Sequence, residues 1–199
     1  MPRIVDQDQK RADIARAAYE VITRDGIGGA TMRTIAKQAG CSTGMLVHYF
    51  SNKQDVLLNA HEHAAKNVRQ RMVDYQKELH GLTLLRALIE EVLPVDKRRK
   101  GNWVIWISFW DPSVADSELK GEQAKRVTEW HRRLKGALTQ AETLGELRAG
   151  TNVQDEVDRI ASMVEGLAIQ VIVHKRAMSG PRMLRLIDGY FQRLAAKPS

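Results

Sequence analysis

A search for chemistry in this sequence begins at Ser42 and His48, a hydroxyl and an imidazole within one short stretch. Six positions apart on one helix, they are too distant to act as a nucleophile and its base. The 199 residues contain no H-E-x-x-H, no C-x-x-C and no dinucleotide fingerprint. DGIGG at 25–29 lacks the G-x-x-x-x-G-K spacing of a phosphate cradle and reads as a turn between helices. His61 and His63 stand at i, i+2 and point to different faces, whereas a metal pair on a helix needs i, i+4. They read as surface or interface histidines. No catalytic residue, metal site or cofactor is expected.

The element that carries Ser42 and His48 offers a different chemistry. Met32, Ile35, Ala36 and Ala39 share one helical face, and Gly40 ends that helix in the left-handed conformation open to glycine. Thr31 caps this helix, and Ser42 caps the next, which runs through Met45, Leu46, Tyr49 and Phe50. Two short helices around a tight glycine turn form a helix-turn-helix, whose second helix fits the major groove of DNA. On spacing alone, an ordinary helical hairpin explains the pattern equally well.

Composition bears on the choice. The formal charge is +7, which favours a polyanionic partner. Residues 1–53 hold eight Lys/Arg against five Asp/Glu, so this quarter has the higher charge density. The single cysteine, Cys41, cannot form an internal disulfide and fits a reducing cytoplasm, the expected location. No 18-residue apolar run is present, so no membrane span is expected, and MPRIVDQDQK lacks the apolar centre of a signal peptide.

The remaining elements are all helical. Residues 1–9 read as a loose arm, and Lys10 to Arg24 as a helix with Ile14, Ala18, Val21 and Ile22 inward. Ile35 and Phe50 are expected at the centre of this small core. A helix from Lys53 to Leu79 would span about 40 Å. A short helix from Thr83 ends at Pro94, and Asp96–Asn102 reads as a basic loop, with Asn102 capping NWVIWISFW. Residues 114–144 carry Val127, Trp130, Leu134, Leu138 and Ala141 in one stripe. The last two helices, Val153–Lys175 and Pro181–Ala195, show three-four seams: Val157, Ile160, Val164, Leu167, Val171 and Leu184, Ile187, Phe191, Leu194. Such seams suit a homodimer interface, formed by Val157, Ile160, Val164, Leu167, Val171, Leu184, Ile187 and Phe191.

Trp103, Trp106 and Trp110 follow i, i+3, i+7 along one helix face, and Trp130 on the next helix can oppose them. Plain core packing explains such a cluster. A ligand pocket with rigid aromatic walls is the sharper reading, and Glu165 or Asp111 nearby would favour a cationic ligand.

The order AGCSTGMLVHYFSNK, met by Ala39, Gly40, Ser42, Gly44, Leu46, His48, Tyr49, Phe50 and Lys53, resembles the DNA-binding signature of the TetR family of bacterial repressors. Cys41 stands where that pattern usually has an aliphatic residue, and Val47 where an aromatic is common. WVIWISFWDPSVADSEL, GELRAG and EGLAIQ resemble the C-terminal domain of the choline-responsive BetI type. The resemblance implies an all-α chain: a helix-turn-helix domain over 1–53, then a helical ligand-binding and dimerisation domain over 54–199. It implies a ligand-responsive transcriptional repressor, binding a palindromic operator as a homodimer and released by a small-molecule inducer. Choline-like molecules, lipids, drugs and acyl compounds are all familiar ligands of relatives. Thr31, Arg33, Ser42, Thr43, Gly44, His48, Tyr49 and Lys53 would face the DNA. The hydroxyls and Tyr49 would hold phosphates, and Arg33, Thr43 and His48 would reach base edges. Trp103, Trp106, Trp110, Trp130 and Glu165 would bind the ligand, which would tilt the long helix and alter the spacing of the two heads. A helical protein-interaction adaptor or a small helical enzyme are the alternatives. The first would show no operator preference, and the second would show turnover.

Overall fold

The computed structural model describes residues 2–108, 117–174 and 178–196. Within them run helices α1 (Pro2–Gly29), α2 (Met32–Gln38), α3 (Thr43–Tyr49), α4 (Lys53–Glu78), α5 (Gly81–Val92), α6 (Lys97–Ile107), α7 (Ser117–Thr143), α8 (Val153–Ile172) and α9 (Gly180–Leu194). The all-α architecture is as expected. An isolated bridge between Leu147 and Ala195 is the β pairing found among the described residues.

Two boundaries differ from the sequence reading. Within the loose arm expected over residues 1–9, residues 2–9 are instead the start of α1, because nothing between Pro2 and Lys10 breaks a helix. Proline at the first helical position lacks only an N–H that would be unpaired anyway. The loop expected at Asp96–Asn102 is the first turn of α6. Asp96 Oδ1 accepts from the Arg99 backbone N–H at 2.8 Å and caps the helix, and Asn102 lies inside it. Gly26, at φ 74°, interrupts α1 ahead of a final turn.

The chain divides into two compact units: the described residues of Met1–Arg69 with Lys100–Asp111, and those of Gln70–Arg99 with Pro112–Ser199. The limits of these units lie inside α4 and inside α6. The reason is packing in the first unit. Ile14, Val21 and Ile22 of α1, Ile35 of α2, Leu46 of α3, Phe50, and Val56 and Ala60 of α4 form one buried cluster, which Ile105 of α6 completes. Ile35 and Phe50 are at its heart, 0% and 1% exposed. Tyr19 donates a hydrogen bond to Asn102 Oδ1 at 2.9 Å, and Gly101 lies so close to Thr23 that a Cβ would sit 2.4 Å from its hydroxyl oxygen.

In the second unit α5 packs on α7, and α7 on α8. Leu84, Leu85, Leu88, Ile89, Leu134, Leu138, Val157, Ile160, Val164, Met183 and Ile187 are among its buried apolar side chains. On α7 the stripe Trp130, Leu134, Leu138, Ala141 is buried as the spacing predicts, but Val127 remains 38% exposed. Gly81, at φ +55°, lets the chain enter α5 against Glu146, whose Oε2 accepts from the Leu82 N–H at 2.7 Å.

Candidate nucleic-acid interface

Three local devices set the geometry of α2 and α3. Thr31 Oγ1 accepts from the Thr34 N–H at 3.1 Å while Thr34 Oγ1 accepts from the Thr31 N–H at 2.9 Å, a reciprocal capping box. Gly40 takes φ 63°, and the Gly40 and Cys41 N–H groups donate to the carbonyls of Lys37 and Ala36, a Schellman stop. Ser42 Oγ then accepts from the Met45 N–H at 3.1 Å and starts α3. A cap of this kind is worth about 1 kcal/mol, which matters greatly to a seven-residue helix. Ser42 keeps its hydroxyl proton free to donate to a phosphate oxygen.

GCSTG at 40–44 also has the G-x-S-x-G spacing of a hydrolase nucleophile. That motif needs a serine on a turn from strand to helix, beside a base. Here Ser42 lies between two helices and its oxygen is committed to capping.

Of the residues expected to face DNA, Thr31, Arg33, Ser42, Thr43, Gly44 and His48 are exposed, and Tyr49 and Lys53 are half-buried. From Thr31 to Lys53 there are three cations, Arg33, Lys37 and Lys53, and no Asp or Glu. At 100° per residue, the face of α3 opposite buried Leu46 is centred on Gly44 and His48. The arrangement is a solvent-facing, cationic, hydroxyl-rich surface of the kind that meets a polyanion.

The sequence reading missed two features here. Arg11 of α1 donates to the Tyr49 carbonyl, lies 4.5 Å from the Phe50 ring centroid, and pairs with Asp55 at 3.7 Å. It thereby ties the end of α3 to the start of α4, across a separation of 38 residues that no periodicity reveals. Met45, expected along α3 with Leu46, Tyr49 and Phe50, is 44% exposed, and Val47, which stands where the TetR pattern commonly has an aromatic, is 59% exposed.

Comparison with known proteins decides the family. Residues 82–196 match the family described as "BetI-type transcriptional repressor, C-terminal", and residues 14–60 match "Bacterial regulatory proteins, tetR family". The chain belongs to the TetR family. Among its relatives, the transcriptional regulator PksA of Bacillus subtilis is 26% identical over 94% of this chain and 90% of its own length. BetI of Vibrio campbellii is 26% identical over 97% of this chain and 96% of its own. A transcriptional regulator from Saccharomonospora viridis, solved in complex with choline, superposes at TM-score 0.85 with 21% identity, over 96% of this chain and all of that one. The relatives of this TetR-family chain are transcriptional regulators, and so is it; it is not an enzyme.

The expected ligand residues of this regulator fall in both units. Trp103 and Trp106 belong to the first unit and stack at 4.8 Å, Trp103 buried and Trp106 half-exposed. Trp130 and Glu165 belong to the second unit, and Trp110 and Asp111 lie outside the described residues. Burial pushes the Glu165 carboxyl above the usual range, with His131 opposing that shift. No group of His, Cys, Asp or Glu among the described residues is arranged to hold a metal. His61 is buried rather than superficial. His63 is half-buried against Tyr19, where burial, then Arg16 and Lys66, lower its pKa. The basic run of α6 also has an internal explanation, since Arg98 pairs with Glu91 at 2.8 Å and Arg99 with Asp96 at 3.4 Å.

The seam residues divide in two. Val157, Ile160, Val164 and Ile187 are 0–2% exposed within the single chain, so they pack its own core. Leu167, Val171, Leu184 and Phe191 are half-buried and retain surface for a partner.

Proposed function

We propose that this TetR-family regulator is a cytoplasmic repressor that binds a palindromic DNA operator as a homodimer and is released by a small-molecule inducer. The observation that carries the DNA reading is the α2–α3 surface: exposed hydroxyls, three cations and no acidic residue, held by caps in a helix-turn-helix. Ser42, Thr31 and Tyr49 hold phosphates, Lys53 neutralises one, and Arg33, Thr43 and His48 read base edges. A two-fold dimer places its α3 helices about 34–36 Å apart, one turn of DNA.

Selection from a randomised duplex library, followed by titration at rising salt, tests this. Each neutralised phosphate releases counterions, so the logarithm of affinity should fall linearly with the logarithm of salt. Lys53→Ala should weaken all duplexes alike and flatten the slope by about one. Affinity that is independent of salt would overturn the DNA reading.

Dimerisation is expected through Leu167, Val171, Leu184 and Phe191. Introducing Leu167→Glu or Phe191→Asp would place an unpaired charge in that interface. Light scattering at micromolar concentration should show dimers for the natural chain and monomers for either variant. A monomeric natural chain would remove the interface.

The inducer is proposed as a cation of the choline class, on the strength of the Saccharomonospora viridis neighbour and of the aromatic faces of Trp103 and Trp106. Choline should weaken operator binding, and DNA should weaken choline binding by the same factor.

A further inference from the structure

The two exposed apolar side chains of α3 are unexplained by the fold. Leu46, between them, is fully buried in the first unit's core, while Met45 is 44% and Val47 59% exposed. They occupy opposite flanks of the face centred on Gly44 and His48, since 45 and 47 are separated by about 200° around the helix. On both flanks the chain leaves much of an apolar side chain in solvent.

The surroundings indicate what covers them. The stretch from Thr31 to Lys53 carries three cations and no acid, so a second copy of the same surface would repel it, whereas a nucleic acid would be attracted. Phosphate oxygens cannot satisfy a thioether or an isopropyl group. In the major groove one apolar feature is available at the base edges, the 5-methyl group of thymine. Gly44, lacking a side chain, lets α3 lie deep enough for both flanks to touch base edges.

We infer that Met45 and Val47 are specificity-determining residues that read thymine 5-methyl groups on the two flanks of α3. The inference rests on the DNA-binding reading and deepens it by naming what the groove must present. Cytosine methylated at C5 carries its methyl in the same position and should substitute partly for thymine at a read site.

The test uses the full chain and the duplex recovered from the randomised library. That duplex is resynthesised with deoxyuridine in place of thymidine, one position at a time. Deoxyuridine keeps every hydrogen-bonding group and removes only the methyl. At a read thymine the natural chain should lose about fourfold in affinity per methyl, the factor expected for one methylene-sized group withdrawn from water. Met45→Ala and Val47→Ala should each become indifferent to deoxyuridine at a distinct position while still binding DNA with the same salt slope. Deoxyuridine tolerated everywhere by the natural chain would overturn the inference while leaving DNA binding intact. So would a loss that is equal in the natural chain and in both variants. Failure to recover any duplex would instead overturn the reading on which it rests.

Discussion

Gly44→Ala will leave the protein folded and slightly more stable, yet bind its operator about 10- to 100-fold more weakly. The first half follows from the chain itself. Gly44 lies within α3, where glycine costs roughly 1 kcal/mol relative to alanine. A Cβ added there would meet only the Ser42 hydroxyl oxygen at 3.8 Å, an ordinary contact. The fold therefore has no use for the missing side chain, and removing the glycine relieves a helix penalty. The second half follows from the proposed partner. A methyl at the centre of the outward face would hold α3 off the groove and stretch the contacts from His48 and Thr43, each worth roughly 1–3 kcal/mol. Thermal unfolding and an operator titration on the same sample check both halves. A lowered melting temperature would show that glycine serves the fold, and unchanged affinity would show that α3 does not approach DNA closely.

Removing both guanidiniums at Glu91 will cost the second unit about 3–5 kcal/mol and reverse its response to pH. Glu91 is 1% exposed, yet charged. Arg71 Nε donates to Oε1 at 2.8 Å, Arg98 donates to both oxygens at 2.8 and 3.2 Å, and the Tyr75 hydroxyl lies 3.4 Å from Oε2. Burial by itself would raise the carboxyl pKa, but the hydrogen bonds from Arg98 and Arg71 outweigh it and hold the value below the usual range. In the natural chain this contribution to stability is therefore present above the unfolded value of about 4.3 and is lost as pH falls through the lower folded value. In Arg71→Met/Arg98→Met the same carboxylate is buried without a counter-charge, the costly case for an ion pair. Its pKa then rises above 4.3, so stability falls as pH rises from 4.3 through the raised value. Adding Glu91→Gln should recover much of the loss at pH 7. Melting curves at pH 4.5 and pH 7 for the three proteins decide it. A double variant as stable as the natural chain at pH 7 would mean that solvent reaches Glu91. An exposed pair such as Lys77–Asp74 offers no comparable effect, since solvent screens both charges.

Much of the candidate interface was legible before any coordinates. Thr31, Gly40 and Ser42 announce caps and a stop because a helix end leaves N–H and C=O groups that its immediate neighbours must satisfy. The exposure of Arg33, Thr43 and His48 follows from the same local register. The dimer seams were less legible. Val157, Ile160 and Val164 share their stripe with Leu167 and Val171, and spacing alone cannot distinguish a face turned to the chain's own core from one turned outward. The ion pairing of the basic run at Lys97–Lys100 was hidden for a related reason. Charge is visible in a sequence, but Glu91, the partner that occupies Arg98, lies seven residues earlier on another helix.

The sequence by itself determined the all-α class, the caps of α2 and α3, the cationic acid-free stretch from Thr31 to Lys53 and the TetR signature. Each of these is written in residues within one or two helical turns of one another, where backbone hydrogen bonding and side-chain period act directly. The tertiary structure alone decided that Ile105 completes the core of the helix-turn-helix, that Arg11 ties the end of α3 to the start of α4, and that Met45 and Val47 face solvent while Leu46 does not. Those outcomes depend on which distant surfaces exclude water together. That is a property of the packed chain, and no local pattern encodes it.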